Sequence, residues 1–156
     1  MKRFLLSLSL VVLTGFAARA NADQDYKAWN KYFAGSWHLQ ESGDQMELKC
    51  VGDGVVAVGT GTSATGEEVG GWIMGWDPAD KVVVHEWFGN DHGFARYKII
   101  DENTLRGPGE IHGSDKVTKG TVTLTRKSAD TYTVHWTDVT ANGKKADDLR
   151  VTVKRK

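Results

Sequence analysis

The side chains best suited to chemistry in this chain are five His and one Cys, set among 20 acidic and 20 basic residues. His85 alternates with Val83 and Trp87, so on one reading of that strand its imidazole lies among aromatics, where a ligand or a reacting group meets it. The opposite reading puts Val82, Val84, Glu86 and Phe88 inside, and both faces are apolar enough that periodicity leaves the choice open. A core imidazole bonded to a backbone carbonyl is the ordinary alternative to a functional one. His112 is the second candidate, whereas His38 and His135 occupy polar alternate positions and His92 sits in a Gly-rich stretch, so these three are expected to face solvent. No two His stand at i, i+2 or i, i+4, so local metal-ligand spacing is missing and no metal ligand is assigned. Nor is any catalytic residue assigned. Cys50 has no motif around it, the Ser residues fall in turns, and Asp147-Asp148 reads as a solvated strand start.

Aromatic residues carry the remaining signal. Trp72, Trp76, Trp87 and Trp136 fall within strand-like runs together with Tyr97 and Tyr132. With His85, His112 and Arg106 as the few polar groups, they have the composition of a pocket wall for a small hydrophobic or amphipathic molecule. Cys50 alternates with Met46 and Leu48 and is expected to be a buried thiol.

The elements that position these residues follow from pattern. Tyr26, Trp29 and Phe33 at i, i+3 and i+7, opened by Asp23 or Asp25 and stopped by Gly35, predict one short amphipathic lid helix. After Gly35 the period becomes 2, and some nine or ten strands succeed one another through local turns such as Gly52-Asp53-Gly54, Asp77-Pro78-Ala79-Asp80 and Asn142-Gly143. A further short pair is expected around Gly107-Pro108-Gly109. Local connections without crossover helices predict an all-β antiparallel meander, which buries its apolar face most economically by closing into an up-and-down barrel. A two-sheet sandwich is the rival. Lys, Arg and Glu on the alternate positions argue against a lipid-facing barrel.

Residues 1–22 read as a cleaved export signal: Lys2 and Arg3, then a largely apolar run from Phe4 to Phe16, then Ala18-Arg19-Ala20-Asn21-Ala22, with cleavage after Ala20 or Ala22. The apolar run is about a dozen residues, short of the roughly 20 that span a bilayer, so no integral membrane segment is expected after processing. Loss of Lys2, Arg3 and Arg19 leaves 17 basic against 20 acidic residues, a mildly acidic domain over 23–156 that is periplasmic or secreted. Its basic clusters, Lys144-Lys145 and Lys154-Arg155-Lys156, lack the interleaved aromatics of a nucleic-acid binder, and no nucleic-acid partner is expected.

Gly35-Ser36-Trp37, placed after a short helix and opening the first strand, resembles the Gly-x-Trp signature of the lipocalin-like calycin barrels. Gly75-Trp76-Asp77-Pro78 resembles the Gly-Tyr-Asp-Pro turn of bacterial exported lipocalin-like proteins of unknown function. The resemblance implies that a basic residue of the last strand packs over the signature Trp at the closed end. Strand parity puts Arg155 there, in a cation-π contact with Trp37 worth about 0.5–2 kcal/mol. A haem-binding branch continues its signature with two further Gly, where this chain has His38-Leu39-Gln40-Glu41, so haem is disfavoured and no cofactor is expected. The resulting expectation is a barrel that binds a small hydrophobic molecule; an enzyme using a cavity His, or an envelope scaffold without ligand, are the alternatives.

Overall fold

The computed structural model describes residues 25–156; the expected signal segment and Asp23 lie outside the described residues. Helix α1 covers residues 25–33. Eleven strands follow: β1 (Gly35–Leu39), β2 (Gln45–Val51), β3 (Val56–Thr62), β4 (Glu68–Asp77), β5 (Val82–Gly89), β6 (His92–Asp101), β7 (Thr104–His112), β8 (Val117–Ser128), β9 (Thr131–Ala141), β10 (Lys144–Lys145) and β11 (Leu149–Arg155). Each pairs antiparallel with its neighbours. The pairs β8–β9, β9–β11 and β11–β1 close the ring, so ten strands form an up-and-down barrel and the two-residue β10 is a spur on β9. Closure leaves no long sheet edge exposed, and the sandwich alternative falls away.

Gly107-Pro108-Gly109 does not turn. It lies inside the single strand β7, and the chain turns at Glu102-Asn103 instead. The ladder from β7 to β6 runs from His92↔His112 to Ala95↔Gly109, skips Gly107 and Pro108, and resumes at Lys98↔Arg106, while both skipped residues pair with β8. Proline is therefore accommodated where no N–H is needed for the ladder. A side chain at Gly107 would collide with the Arg96 carbonyl, its Cβ coming within 1.8 Å.

Alternating strand direction puts the turns at 52–55, 78–81, 102–103 and 129–130 at one end, and α1 closes that end. Tyr26, Trp29, Asn30 and Phe33 are all buried there, so the amphipathic face of the helix is the plug. Buried Asn30 donates from its amide to the Gly54 carbonyl and to the Tyr26 hydroxyl, both at 2.6 Å, and that hydroxyl lies within bonding range of the Val55 and Met74 carbonyls. Burial pushes the Tyr26 phenol up to about 12. Cys50 is half-buried, and its thiol donates to the Asn30 carbonyl at 3.0 Å.

The last turn of α1 leaves carbonyls without helical partners, and the barrel supplies donors for them. Trp37 Nε1 donates to the Phe33 carbonyl at 2.7 Å, while Arg155 donates to the Ala34 and Tyr32 carbonyls at 2.8 and 2.9 Å. A cation at a helix C-terminus also meets the negative end of its dipole. Directly across the β1–β11 seam from Trp37, Arg155 lays its guanidinium carbon 4.1 Å from the Trp37 ring centre and pairs through Nε with Asp130 at 3.2 Å. Gly35 has φ of +121°, and any Cβ on it would lie 2.6 Å from Arg155 Nη1, so this corner requires glycine.

Arg155→Ala removes the cation-π contact and two charged hydrogen bonds together. It is expected to cost about 2–3 kcal/mol and lower Tm by roughly 5–10 °C in thermal denaturation followed by circular dichroism. An unchanged melting curve would show that this corner does not hold the barrel.

Candidate ligand cavity

Inside the barrel, each layer combines bulky side chains with glycine or alanine on nearby strands. One row runs Leu48, Gly59, Trp72, Trp87, Gly93, Ile111 by direct cross-strand pairing. The next runs Ala57, Met74, His85, Ala95, Gly109, Gly120. An added Cβ would fall 2.5 Å from Trp72 at Gly59, 2.0 Å from Trp87 at Gly93, and 3.0 Å from Trp136 at Gly109. Trp72 and Trp87 thus lie across a glycine of the neighbouring strand, and Trp136 reaches over β8 to Gly109 of β7. Gly59, Gly61, Gly93, Gly109 and Gly120 make room for tryptophan.

Packing of this kind does not fill the barrel. A cavity of about 500 Å³ extends from a floor of Phe33, Tyr132 and Val153 to the end opposite α1, within the roughly 300–1,000 Å³ of small-molecule pockets. Its walls are Met46, Leu48, Trp72, Met74, Trp87 and Trp136, with Leu124, Val134 and Val151 on the far side. Asp44, Val69, Phe88, Asn90 and Asp91 surround the mouth, and Phe88 is 54% exposed there. Glu41, beside Asp44 in the β1–β2 turn, accepts from the Thr152 N–H with both carboxylate oxygens at 2.9 Å, which ties this side of the mouth to β11. That hydrogen bond holds the Glu41 carboxyl below its usual range.

Strand β5 presents Val83, His85 and Trp87 inward, the choice that periodicity leaves open. Trp87 is 5.2 Å from the His85 ring centre, and the Tyr97 hydroxyl is 3.5 Å from His85 Nδ1, while His85 Nε2 is buried without a hydrogen-bond partner among the described residues. His85 is half-buried, and its accessible surface faces the cavity and not bulk water. Desolvation lowers its pKa from 6.5 to about 4. Burial likewise raises the Tyr97 and Tyr132 phenols, so all three side chains are neutral at neutral pH.

Of the residues singled out from sequence, Trp72, His85, Trp87, Tyr97 and Trp136 therefore line one cavity. Trp76 stacks on Tyr26 at 5.8 Å and belongs to the helix end. Arg106 is exposed on the outer face, and the signature residues Gly35, Trp37 and Arg155 form the closed corner. His112 is also outside, stacked near Phe94 and 3.2 Å from Glu110, with His92 directly across the β6–β7 pair. His92 is exposed as expected, whereas His38 and His135 are half-buried. Pattern reading missed the wall residues Met74, Val134 and Val151 and the rim carboxylates Asp44 and Asp91. Strand parity signals the wall residues, but the rim comes from turns that only closure brings together.

Among the described residues no three His, Cys, Asp or Glu side chains gather at metal-binding distance, and no helix is long and apolar enough to cross a membrane. No protein-family model matches the chain, and no curated protein matches it.

Two consequences of this geometry can be measured. Gly93→Ala drives a methyl group into the Trp87 indole; it is expected to destabilise by about 1–3 kcal/mol and to shift Trp emission, and wild-type stability with unchanged emission would refute the packing. His85 binds a proton more readily unfolded than folded, so its contribution to folding stability falls as pH drops from 6.5 towards 4 and levels off below that. Urea titrations should show wild type losing on the order of 2–3 kcal/mol relative to His85→Phe across this window, and parallel pH profiles would show that His85 is not desolvated.

Proposed function

We propose that the protein is an exported, soluble, lipocalin-like binding protein that takes a small, largely apolar molecule into its barrel through the end opposite α1. The observation that carries this reading is the cavity itself. It is sizeable, walled by Trp72, Trp87, Trp136, Met74 and aliphatic side chains, plugged at one end, and has few polar groups inside. The Gly35-Ser36-Trp37 corner with Arg155 stacked on Trp37 supports the lipocalin-like part, although ten strands close this barrel where lipocalins use eight. Export rests on residues 1–22, and solubility on outward residues such as Glu47, Lys49, Lys98, Arg106 and Lys119, which suit water and not hydrocarbon.

Binding is favoured over catalysis by the surroundings of His85. Its polar neighbour is Tyr97, and the carboxylates of the lining, Asp44 and Asp91, stand at the mouth. An imidazole with a pKa near 4 and no adjacent carboxylate is a weak base for drawing a proton from a substrate.

Three tryptophans in the wall make the test direct. Titration of a fatty acid, a quinone and haem should change the intrinsic fluorescence saturably for at least one class, and Trp72→Leu should weaken the response. A flat response to all three classes, with the fold intact by circular dichroism, would refute the reading.

A further inference from the structure

We infer that the molecule this cavity accepts is uncharged, an apolar body carrying a hydrogen-bonding oxygen, a carbonyl, ether or hydroxyl, that engages the His85–Tyr97 pair, in preference to a carboxylate or another anion. The inference rests on the binding reading above and narrows it to a chemical class.

Charge decides the first part. Among the described residues the only charged side chains in the lining are Asp44 and Asp91, both acidic and both at the mouth, and no Lys or Arg of these residues lines the cavity. The nearby arginines are committed elsewhere. Arg126 lies 3.7 Å over the Trp29 ring and 4.3 Å over the Tyr32 ring beneath the floor, Arg155 caps α1, and Arg96 bonds Asp77 and Asp80 on the outside. His85 does not substitute for them at neutral pH, because desolvation keeps its imidazole neutral. A carboxylate would have to pass two like charges and then sit desolvated without a counterion, which burial penalises heavily.

Hydrogen bonding decides the second part. A neutral imidazole has one N–H and one acceptor nitrogen, and a phenol one O–H and acceptor lone pairs. One bond between His85 and Tyr97 consumes one donor and one acceptor, so in either tautomer the pair keeps one donor and one acceptor for a ligand. A ligand oxygen accepts from that donor after rotation of the Tyr97 hydroxyl or of the imidazole about its Cβ–Cγ bond. A hydrocarbon of the same shape leaves it unpaired, which costs affinity. Trp72 and Trp87, paired across β4 and β5 beside His85, provide apolar faces for the body of such a molecule.

Shape-matched probes separate the terms: acetylnaphthalene, ethylnaphthalene and naphthoate with the same substitution pattern, titrated at neutral pH by calorimetry. The ketone is expected to bind tightest, with the hydrocarbon about tenfold weaker and the carboxylate weaker still. The conservative variants His85→Phe and Tyr97→Phe, checked for folding by thermal melts, should narrow the gap between ketone and hydrocarbon. Naphthoate binding as tightly as the ketone would overturn the inference and leave the binding reading standing. A hydrocarbon equal to the ketone in wild type, or a gap unchanged in both variants, would overturn the role of the His85–Tyr97 pair. No binding by any probe, combined with a flat response to the broader panel, would overturn the binding reading as well.

Discussion

The guanidinium of Arg155 is the point on which the barrel closes. It lies where the last strand meets the first, stacks on Trp37, bonds the final carbonyls of α1 and pairs with Asp130 in the β8–β9 turn. Each of these satisfies a different need. A closing seam has to fix its register, a helix end has to satisfy its carbonyls, and a buried indole benefits from a cation over its face. Because one planar group serves all three, the plug and the seam are coupled.

Above that floor the constraint is steric. Interior rows of a barrel must fit bulky rings into a narrowing tube, and here the paired rings of Trp72 and Trp87 have glycine on the strand to either side. Trp72 and Trp87 lie side by side across β4 and β5, flanked by Gly59 and Gly93, so the indoles lie back against the sheet in place of meeting at the axis. Space remains at the centre. The glycines are thus what permits an aromatic-walled cavity and a tightly built wall in the same molecule.

The interior is also electrically quiet. Phenols pushed up and an imidazole pushed down by the same desolvation leave the deep cavity neutral, with the acidic side chains of its lining at the mouth and the Arg126 cation beneath its floor. A cavity of this kind discriminates by the cost of stripping water from a ligand, which is small for a ketone and large for an anion.

Much of this was legible in the chain. The i, i+3, i+7 spacing of Tyr26, Trp29 and Phe33 located the helix and its buried face, and alternation with local turns specified an antiparallel meander and favoured its closure into a barrel over a sandwich. Parity along Leu149, Val151, Val153 and Arg155 placed the arginine opposite Trp37. These features depend on neighbours in sequence or on one regular pairing, which local pattern encodes. Tertiary structure alone decided which face of β5 looks inward, because Val82, Val84 and Phe88 are as apolar as Val83 and Trp87 and only pairing with β4 and β6 breaks the tie. It also decided that Gly107-Pro108-Gly109 stays within a strand, since that depends on a gap in the β6 ladder. It separated Trp76, Arg106 and His112 from the cavity while bringing Asp44 and Asp91 to its mouth. A cavity is the volume that packing leaves unfilled, and that volume depends on how every ring meets the strand across from it, a relation no single stretch of the sequence contains.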